Sequence, residues 1–377
     1  MPFQIAWRIL TYQKGRTALA TGGIFIAILL IFVELGFFVA VPQGGMLIYD
    51  HMRFDLLVCS DKYLFQTSPG QFPRARLTTV ARVADVAQAS PVYLGPAMWQ
   101  DAKGGVRLDS LVLGFDPHSR VFAVPDIESQ VAVLERPDTV LVDSTTRSLF
   151  GPLTAGRLID LNGHKVTIGG SYTLGTGFLG LGVSIADEAN FFRIFRGRPA
   201  AETVNLGLVT LKPGADPAAV AKALRATLPA DTQVFTRSEL TTREVSYWTT
   251  RTATGLIFGS GLVVSFVVGI MVLYQTLATQ ITRQLPQFAT LKAMGYTNRF
   301  LDAIVLVEAF LIMLIGFVPA LVAALGVYAL VRRQTLLPLD LSLPQLGMVF
   351  AITLVMAGAS AFLSLGGLRR AAPADVF

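Results

Sequence analysis

Two carboxylates stand where carboxylates are costly. Glu34 lies within the apolar run Thr17–Val41, and Glu308 within the apolar run Val305–Leu330. Both runs are long enough to cross a bilayer as helices, which needs about 20 residues at about 1.5 Å each. A charge at the bilayer centre costs roughly 2.5–3.5 kcal/mol on insertion scales, so such groups face a bundle interior or a water-filled cavity. Two roles follow from the chemistry. One is a proton relay or substrate contact. The other is packing: a helix–helix hydrogen bond or, for Glu308 near the start of its run, extension to the cytoplasmic interface. The packing reading is adopted for both.

Other chemistry is sparse. Cys59 is the single cysteine, which rules out an intrachain disulfide. His51, His118 and His164 have no ligand spacing among themselves or to Cys59, and they read as loop or surface residues. There is no GxxxxGK[ST] loop to hold ATP and no GxSxG elbow to present a nucleophile. The glycine-rich stretch Gly169–Gly182 lacks the strand-then-helix context of a dinucleotide loop and reads as a flexible external loop. No catalytic, cofactor or metal residue is assigned. The chain reads as non-enzymatic, with no nucleic-acid partner.

The elements that must position these residues are mostly apolar. The 377-residue chain is 53% hydrophobic and 15% charged, with a formal net charge of +6; an ordinary soluble domain is about 25% charged. Two further runs, Gly255–Ala278 and Leu346–Leu365, carry no charge. Basic residues without acidic ones mark three places: Arg8, Lys14 and Arg16; then Arg283, Lys292 and Arg299; then Arg369 and Arg370. The positive-inside rule puts all three in the cytoplasm, with Arg332 and Arg333 as the exception. The fold class expected is a membrane α-helical protein with four transmembrane helices and a large α+β extracytoplasmic domain between the first and second. The boundaries are a cytoplasmic amphipathic segment at 1–16, transmembrane helix 1 at 17–41 and the external domain, in two subdomains, at 42–253. Transmembrane helix 2 follows at 254–279, a cytoplasmic loop at 280–299, transmembrane helix 3 at 300–330 and an external loop at 331–345. Transmembrane helix 4 occupies 346–365 and a cytoplasmic tail 366–377. Phe3, Trp7 and Leu10 give the first segment an apolar face, suited either to the inner membrane surface or to a plain extension of the first span.

Within the external block, Leu56–Cys59, a helix over Leu77–Val86 and Ser90–Leu94 read as strand–helix–strand. A second such unit runs from the strand Asn205–Leu211 through the helix Pro217–Leu228, N-capped by Asp216, to Gln233–Phe235. Between them, Val106–Phe115 and Thr139–Asp143 are strand-like. Asn162-Gly163, between Arg157–Leu161 and Lys165–Ile168, signals a hairpin. Thr236–Thr250 reads as a helix running on into the second span. Gly255 and Gly259 form a GxxxG suited to close helix packing.

The cytoplasmic stretch Gln284–Asn298 is the most specific. Pro286 suits the first position of a short helix and Gly295 the residue past its end. Phe288, Leu291 and Met294 then share one face, and Lys292 in the last turn complements the helix dipole. This is a candidate docking element for a cytoplasmic partner.

Leu285 to Asn298, LPQFATLKAMGYTN, resembles the coupling helix of the FtsX/MacB-type ABC transporter permeases, and within them the DevC type. Ser110–Pro117 (SLVLGFDP), Pro137–Asp143 (PDTVLVD), Leu206–Asp216 (LGLVTLKPGAD), Glu308-Ala309 and the ending Pro373–Phe377 (PADVF) extend the likeness over essentially the whole chain. The resemblance implies the permease subunit of an ATP-driven exporter in the bacterial inner membrane, N- and C-termini cytoplasmic. It implies a separate ABC ATPase docked on Pro286, Phe288, Leu291, Lys292, Met294 and Gly295, and a second permease copy. It also implies a periplasmic membrane-fusion adaptor, a TolC-like outer-membrane channel, and a lipid or other amphiphile as cargo. The rival expectation is an FtsX-like regulator of a cell-wall hydrolase, without cargo.

Overall fold

The computed structural model describes residues 2–12, 14–175, 182–197, 202–335 and 337–370. It divides into two compact units, one of residues 1–40, 253–333 and 339–377, the other of residues 41–252 and 334–338. In chain order the elements begin with helices α1 (Pro2–Tyr12) and α2 (Lys14–Asp50) and strands β1 (Leu56–Ser60) and β2 (Phe72–Pro73). They continue with α3 (Ala75–Val80), β3 (Val86–Asp101), β4 (Leu108–Phe115), α4 (Pro125–Glu128), α5 (Val131–Leu134), β5 (Thr139–Asp143), β6 (Leu158–Leu161) and β7 (His164–Tyr172). After β8 (Val183–Asp187) come α6 (Glu188–Ile194), β9 (Thr203–Val204), β10 (Leu206–Leu211), α7 (Pro217–Thr227), β11 (Thr232–Thr236) and α8 (Arg237–Thr250). Helices α9 (Ala253–Ala293), α10 (Asn298–Thr335) and α11 (Leu343–Arg370) close the chain.

The external unit is built on a nine-stranded sheet in the order β11-β1-β10-β3-β4-β8-β5-β7-β6. Two strand–helix–strand stretches far apart in sequence meet in its first part, where β1 pairs antiparallel with both β10 and β11, and β10 with β3. The helix expected over Leu77–Val86 is shorter, because Val86 already pairs with Leu211 in the ladder. Strand β3 then joins the two parts. It is 16 residues long, and its far end, Trp99 to Asp101, pairs with β6. That pairing closes β3-β4-β8-β5-β7-β6 into a ring with no open edge of its own. Asn162 and Gly163, at φ 56° and 79°, make the turn between β6 and β7, as a two-residue hairpin of the primed type requires. Residues 176–181 of the Gly169–Gly182 stretch lie outside the described residues; Gly169 to Tyr172 belong to β7.

Alternation along the strands feeds two cores. Leu56 and Val58 face one way, with Leu77, Val80, Val220 and Leu224 from α3 and α7. Leu57 and Cys59 face the other way, with Met46, Ile48 and Tyr49 from the end of α2 and Leu240 from α8. A sheet covered on both faces explains why β1 and β5 are buried at every residue. Close approach of α6 to β4 depends on Gly114, where a Cβ would sit 2.6 Å from the Phe191 side chain. Local signals start the helices. Asp216 accepts from the N–H groups of Ala218 and Ala219 at α7, and Thr236 and Glu239 form a capping box at α8.

The helical unit has its own core. Ile24, Ile28, Leu273, Leu277, Ile304, Val305, Met356 and Ala361 are all buried in it. Among the described residues, four helices are long and apolar enough to cross a membrane: Thr21–Asp50, Ala253–Ala293, Asn298–Arg333 and Leu343–Leu365. In α1, Ala6 and Leu10 are buried against this core while Phe3 and Trp7 stay exposed and stack on each other, so Leu10 does not share the face of the two aromatics. Helix α8 does not run on into the second span. It stops at Arg251, and Thr249, Thr250 and Thr252 turn their hydroxyls back onto carbonyls of Val245, Ser246 and Trp248. Such back-bonding competes with the main-chain ladder.

Candidate functional site

The turn between α9 and α10 is built by the end of α9. That helix passes unbroken through Pro286 to Ala293, so Pro286 does not open a separate short helix. A proline there loses its own N–H bond and its ring crowds the carbonyl of Thr282; the Thr290 hydroxyl donates to the Pro286 carbonyl at 2.9 Å. The end of the helix carries a paired cap. Gly295 N–H bonds the Lys292 carbonyl at 3.0 Å, and Tyr296 N–H bonds the Leu291 carbonyl at 3.1 Å. Gly295 sits at φ 93°, the left-handed conformation this cap needs. The expected apolar face divides in three. Phe288 is buried in the helical core, Leu291 is half-buried against it, and Met294 is 62% exposed. Phe288 is thus a packing residue, because its helix lies on the bundle over that turn. Tyr296, which lies outside the helical spacing of that face, is 39% exposed and stacks on Phe300 at 4.6 Å. Of the expected docking residues, Pro286, Met294 and Gly295 are exposed, as is Tyr296, with Lys292 half-buried beside them.

The two carboxylates separate as well. Glu308 is fully buried, and neither of its carboxyl oxygens has a hydrogen-bond partner. Both the helix–helix hydrogen bond and the extension to the interface are therefore corrected for Glu308: its place on α10 is enclosed by apolar side chains. Glu34 is half-buried, and its carboxyl lies over Gly261 on α9, where a Cβ would approach its Cδ to 2.5 Å. Its Oε2 has no partner. The intimate glycines of α9 are Gly261 and Gly269, the latter under the Met356 sulfur. At Gly259 a Cβ would meet only ordinary contact, 3.6 Å from Phe38. Gly259 is thus not a point of close helix packing, whereas Gly255 is buried.

A third group was missed by motif reading. In the external unit, Glu244 of α8 is fully buried, with Tyr49, Tyr63 and Gln66 around it at 0–1% exposure. The Tyr63 hydroxyl donates to Glu244 Oε1 at 2.5 Å, and the hydroxyls of Tyr49 and Tyr63 are 2.8 Å apart. Burial pushes the Glu244 carboxyl up to about 7; the Tyr63 hydroxyl, the Gln66 backbone N–H, Arg243 and Trp248 act against that rise. Arg243 donates to the Tyr63 carbonyl at 2.5 Å and lies over the Tyr63 and Phe235 rings. Arg237 donates to the Tyr49 carbonyl at 3.0 Å, and Phe65 stacks on Tyr247 at 4.8 Å. Helix α8 is thereby clamped to the last turn of α2 and to the 60–68 loop. The available signal was spacing: Leu240 and Glu244 are one helical turn apart, which puts a carboxylate on the buried face of α8. The histidines are apart, with His51 on the Leu47 carbonyl, His118 on Glu135 and His164 on Asp138.

Four long apolar helices around a sheet-built insertion narrow the field, and two family models decide it. The model described as MacB-like periplasmic core domain matches residues 17–227, and that described as FtsX-like permease C-terminal matches residues 259–373. The chain belongs to the FtsX/MacB-like permease family. Solved structures with similarity include the periplasmic region of MacB from Actinobacillus actinomycetemcomitans, at 9% identity and TM-score 0.35, covering 50% of this chain and 91% of that one. The extracellular domain of the noncanonic ABC-type transporter YknZ from Gram-positive bacteria follows at 12% identity and TM-score 0.34, covering 48% and 98%. A domain of a putative permease protein from Porphyromonas gingivalis shows 14% identity and TM-score 0.33, covering 49% and 89%. No curated protein matches the chain. This permease is a multi-pass membrane protein and a non-catalytic subunit of an ABC transporter.

Proposed function

We propose that this permease is the membrane subunit of a DevC-type exporter in the bacterial inner membrane, with both termini in the cytoplasm. A separate ABC ATPase docks on the capped turn at 286–296. The permease works as a homodimer, and its external domain hands a lipid or other amphiphile to a periplasmic adaptor and a TolC-like channel. The observation that carries this reading is the glycine-capped turn at the cytoplasmic end of α9, which holds Met294 and Tyr296 out to solvent in a chain with a MacB-like insertion. Exposed apolar residues at a rigid helix end are suited to a groove on a partner.

Met294→Asp is the cleaner test, because Leu291 also packs on the core. Burying a Met side chain is worth about 1.5–3 kcal/mol, so loss of that contact, with a carboxylate in its place, lowers affinity by roughly two orders of magnitude. The mutant should reach the membrane in normal amount and fail to co-purify the ATPase from solubilised membranes. Retention of the ATPase with full transport would remove the turn from the coupling role. An adaptor among the co-purified proteins supports export, whereas a cell-wall hydrolase in its place indicates an FtsX-like regulator.

A further inference from the structure

The cluster around Glu244 is more elaborate than a packing contact requires. Three segments meet there: the last turn of α2 through Tyr49, the 60–68 loop through Tyr63 and Gln66, and α8 through Arg243 and Glu244. The hydrogen bonds run in one direction. Tyr63 donates to Glu244, which leaves its oxygen to accept from Tyr49. Several polar atoms in the same residues are buried and have no partner: Glu244 Oε2, Gln66 Oε1, Gln66 Nε2 and Arg243 Nε. A buried network left partly unsatisfied is sensitive to the charge of its members.

We propose that Glu244 is a proton-operated latch, in which protonation of its carboxyl holds α8 closed on the Tyr49–Tyr63 pair and ionisation favours release of α8 from the 60–68 loop.

The sign follows from the geometry. An ionised carboxylate enclosed at this place is favoured by the Tyr63 hydroxyl, the Gln66 N–H and the Trp248 side chain, but its Oε2 makes no well-formed hydrogen bond and is out of reach of water. Release of α8 would let water reach that oxygen. A protonated carboxyl loses little by staying inside. The closed state therefore binds the proton more tightly than the open one, as the rise of the Glu244 carboxyl to about 7 from 4.5 reflects. The other groups facing Glu244 are Tyr49 from α2, Cys59 from β1, Tyr63 from the loop, and Arg243 and Trp248 from α8. Burial pushes the Cys59 thiol and the Tyr63 hydroxyl well up, so they stay protonated through the neutral range. Glu244 is the member of the cluster that changes charge there.

The test is hydrogen exchange read by mass spectrometry on the full chain in lipid nanodiscs. Amides of α8 and of the 60–68 loop are followed from pH 5 to pH 8 and corrected for the intrinsic exchange rate. From the two carboxyl values, the opening constant should rise roughly 70-fold over that range in wild type. In Glu244→Gln, which keeps the shape and removes the titration, the corrected opening constant should be flat. A flat wild-type profile, or an undiminished pH dependence in Glu244→Gln, overturns the latch. Tyr63→Phe guards against a misfolded first variant. It removes a donor to the ionised form and should move the midpoint of the wild-type profile to higher pH; an unmoved midpoint also counts against the latch.

Discussion

Glu308→Met should make this permease more stable. The side chain is fully buried, and both carboxyl oxygens lack partners. A buried polar group left without a hydrogen bond costs about 1–3 kcal/mol. Methionine is unbranched, close in length and adaptable, so it can occupy the same space among Ile304, Val305 and Ile312 with little repacking. Repacking after a volume-conserving swap costs below about 1.5 kcal/mol, which leaves a net gain of about 1 kcal/mol and a melting point higher by roughly 2–4 °C. Glu308→Gln keeps two polar atoms in the same dry place and should give no gain. Thermal unfolding of purified protein in a mild detergent, followed by tryptophan fluorescence, reads both variants beside wild type. Transport in vesicles should survive both. A Glu308→Met protein that melts several degrees lower, with Glu308→Gln unharmed, would mean that the carboxyl has a polar partner in the working protein. Loss of transport in both, at normal membrane levels, would assign Glu308 to the transport step and end the packing account.

The charge asymmetry of the loops predicts that alkaline phosphatase fused at Gly163 is active and fused at Gly295 inactive; the reverse pattern would invert the topology. Gly114→Val would drive a side chain into Phe191, 2.6 Å from the glycine's Cβ position, and should destabilise the external domain by about 1–3 kcal/mol in thermal melts. Glu244 makes stability depend on pH. Its carboxyl is raised from 4.5 to about 7 in the folded protein, so its stabilising proton is fully present below about pH 4.5 and is lost as pH rises through 7. Unfolding free energy should fall by roughly 3 kcal/mol over that window from this group. Urea melts of wild type and Glu244→Gln at several pH values would show that slope in the first and not in the second.

Much of this architecture is legible in local signals because their physics is local. A helix that must satisfy its own backbone in lipid needs about 20 apolar residues in a row, and that run is visible whatever it packs against. Asp216 before Pro217 caps α7, Asn162-Gly163 turns β6 into β7, and Gly295 ends α9 through its own positive φ. Each of these depends on residues a few positions apart. Burial is different, because it depends on what arrives from elsewhere. Phe288 and Met294 look alike as apolar residues near the end of α9, yet one is enclosed by the helical core and the other faces solvent. Glycine spacing marked Gly259, where a Cβ would meet only ordinary contact, but not Gly261 or Gly269, where Glu34 and Met356 come in from α2 and α11.

The sequence by itself determined the four long apolar runs, the place of the insertion, most of its strands and the glycine cap at the end of α9. Tertiary structure alone decided how β3 closes the ring and what surrounds each carboxylate. Trp99 meets Leu161, and Tyr63 meets Glu244 across 181 positions of chain. No window of neighbouring residues holds that information, since the free energy of a buried charge is set by the solvent and partners it loses, and those are chosen only when the chain has folded.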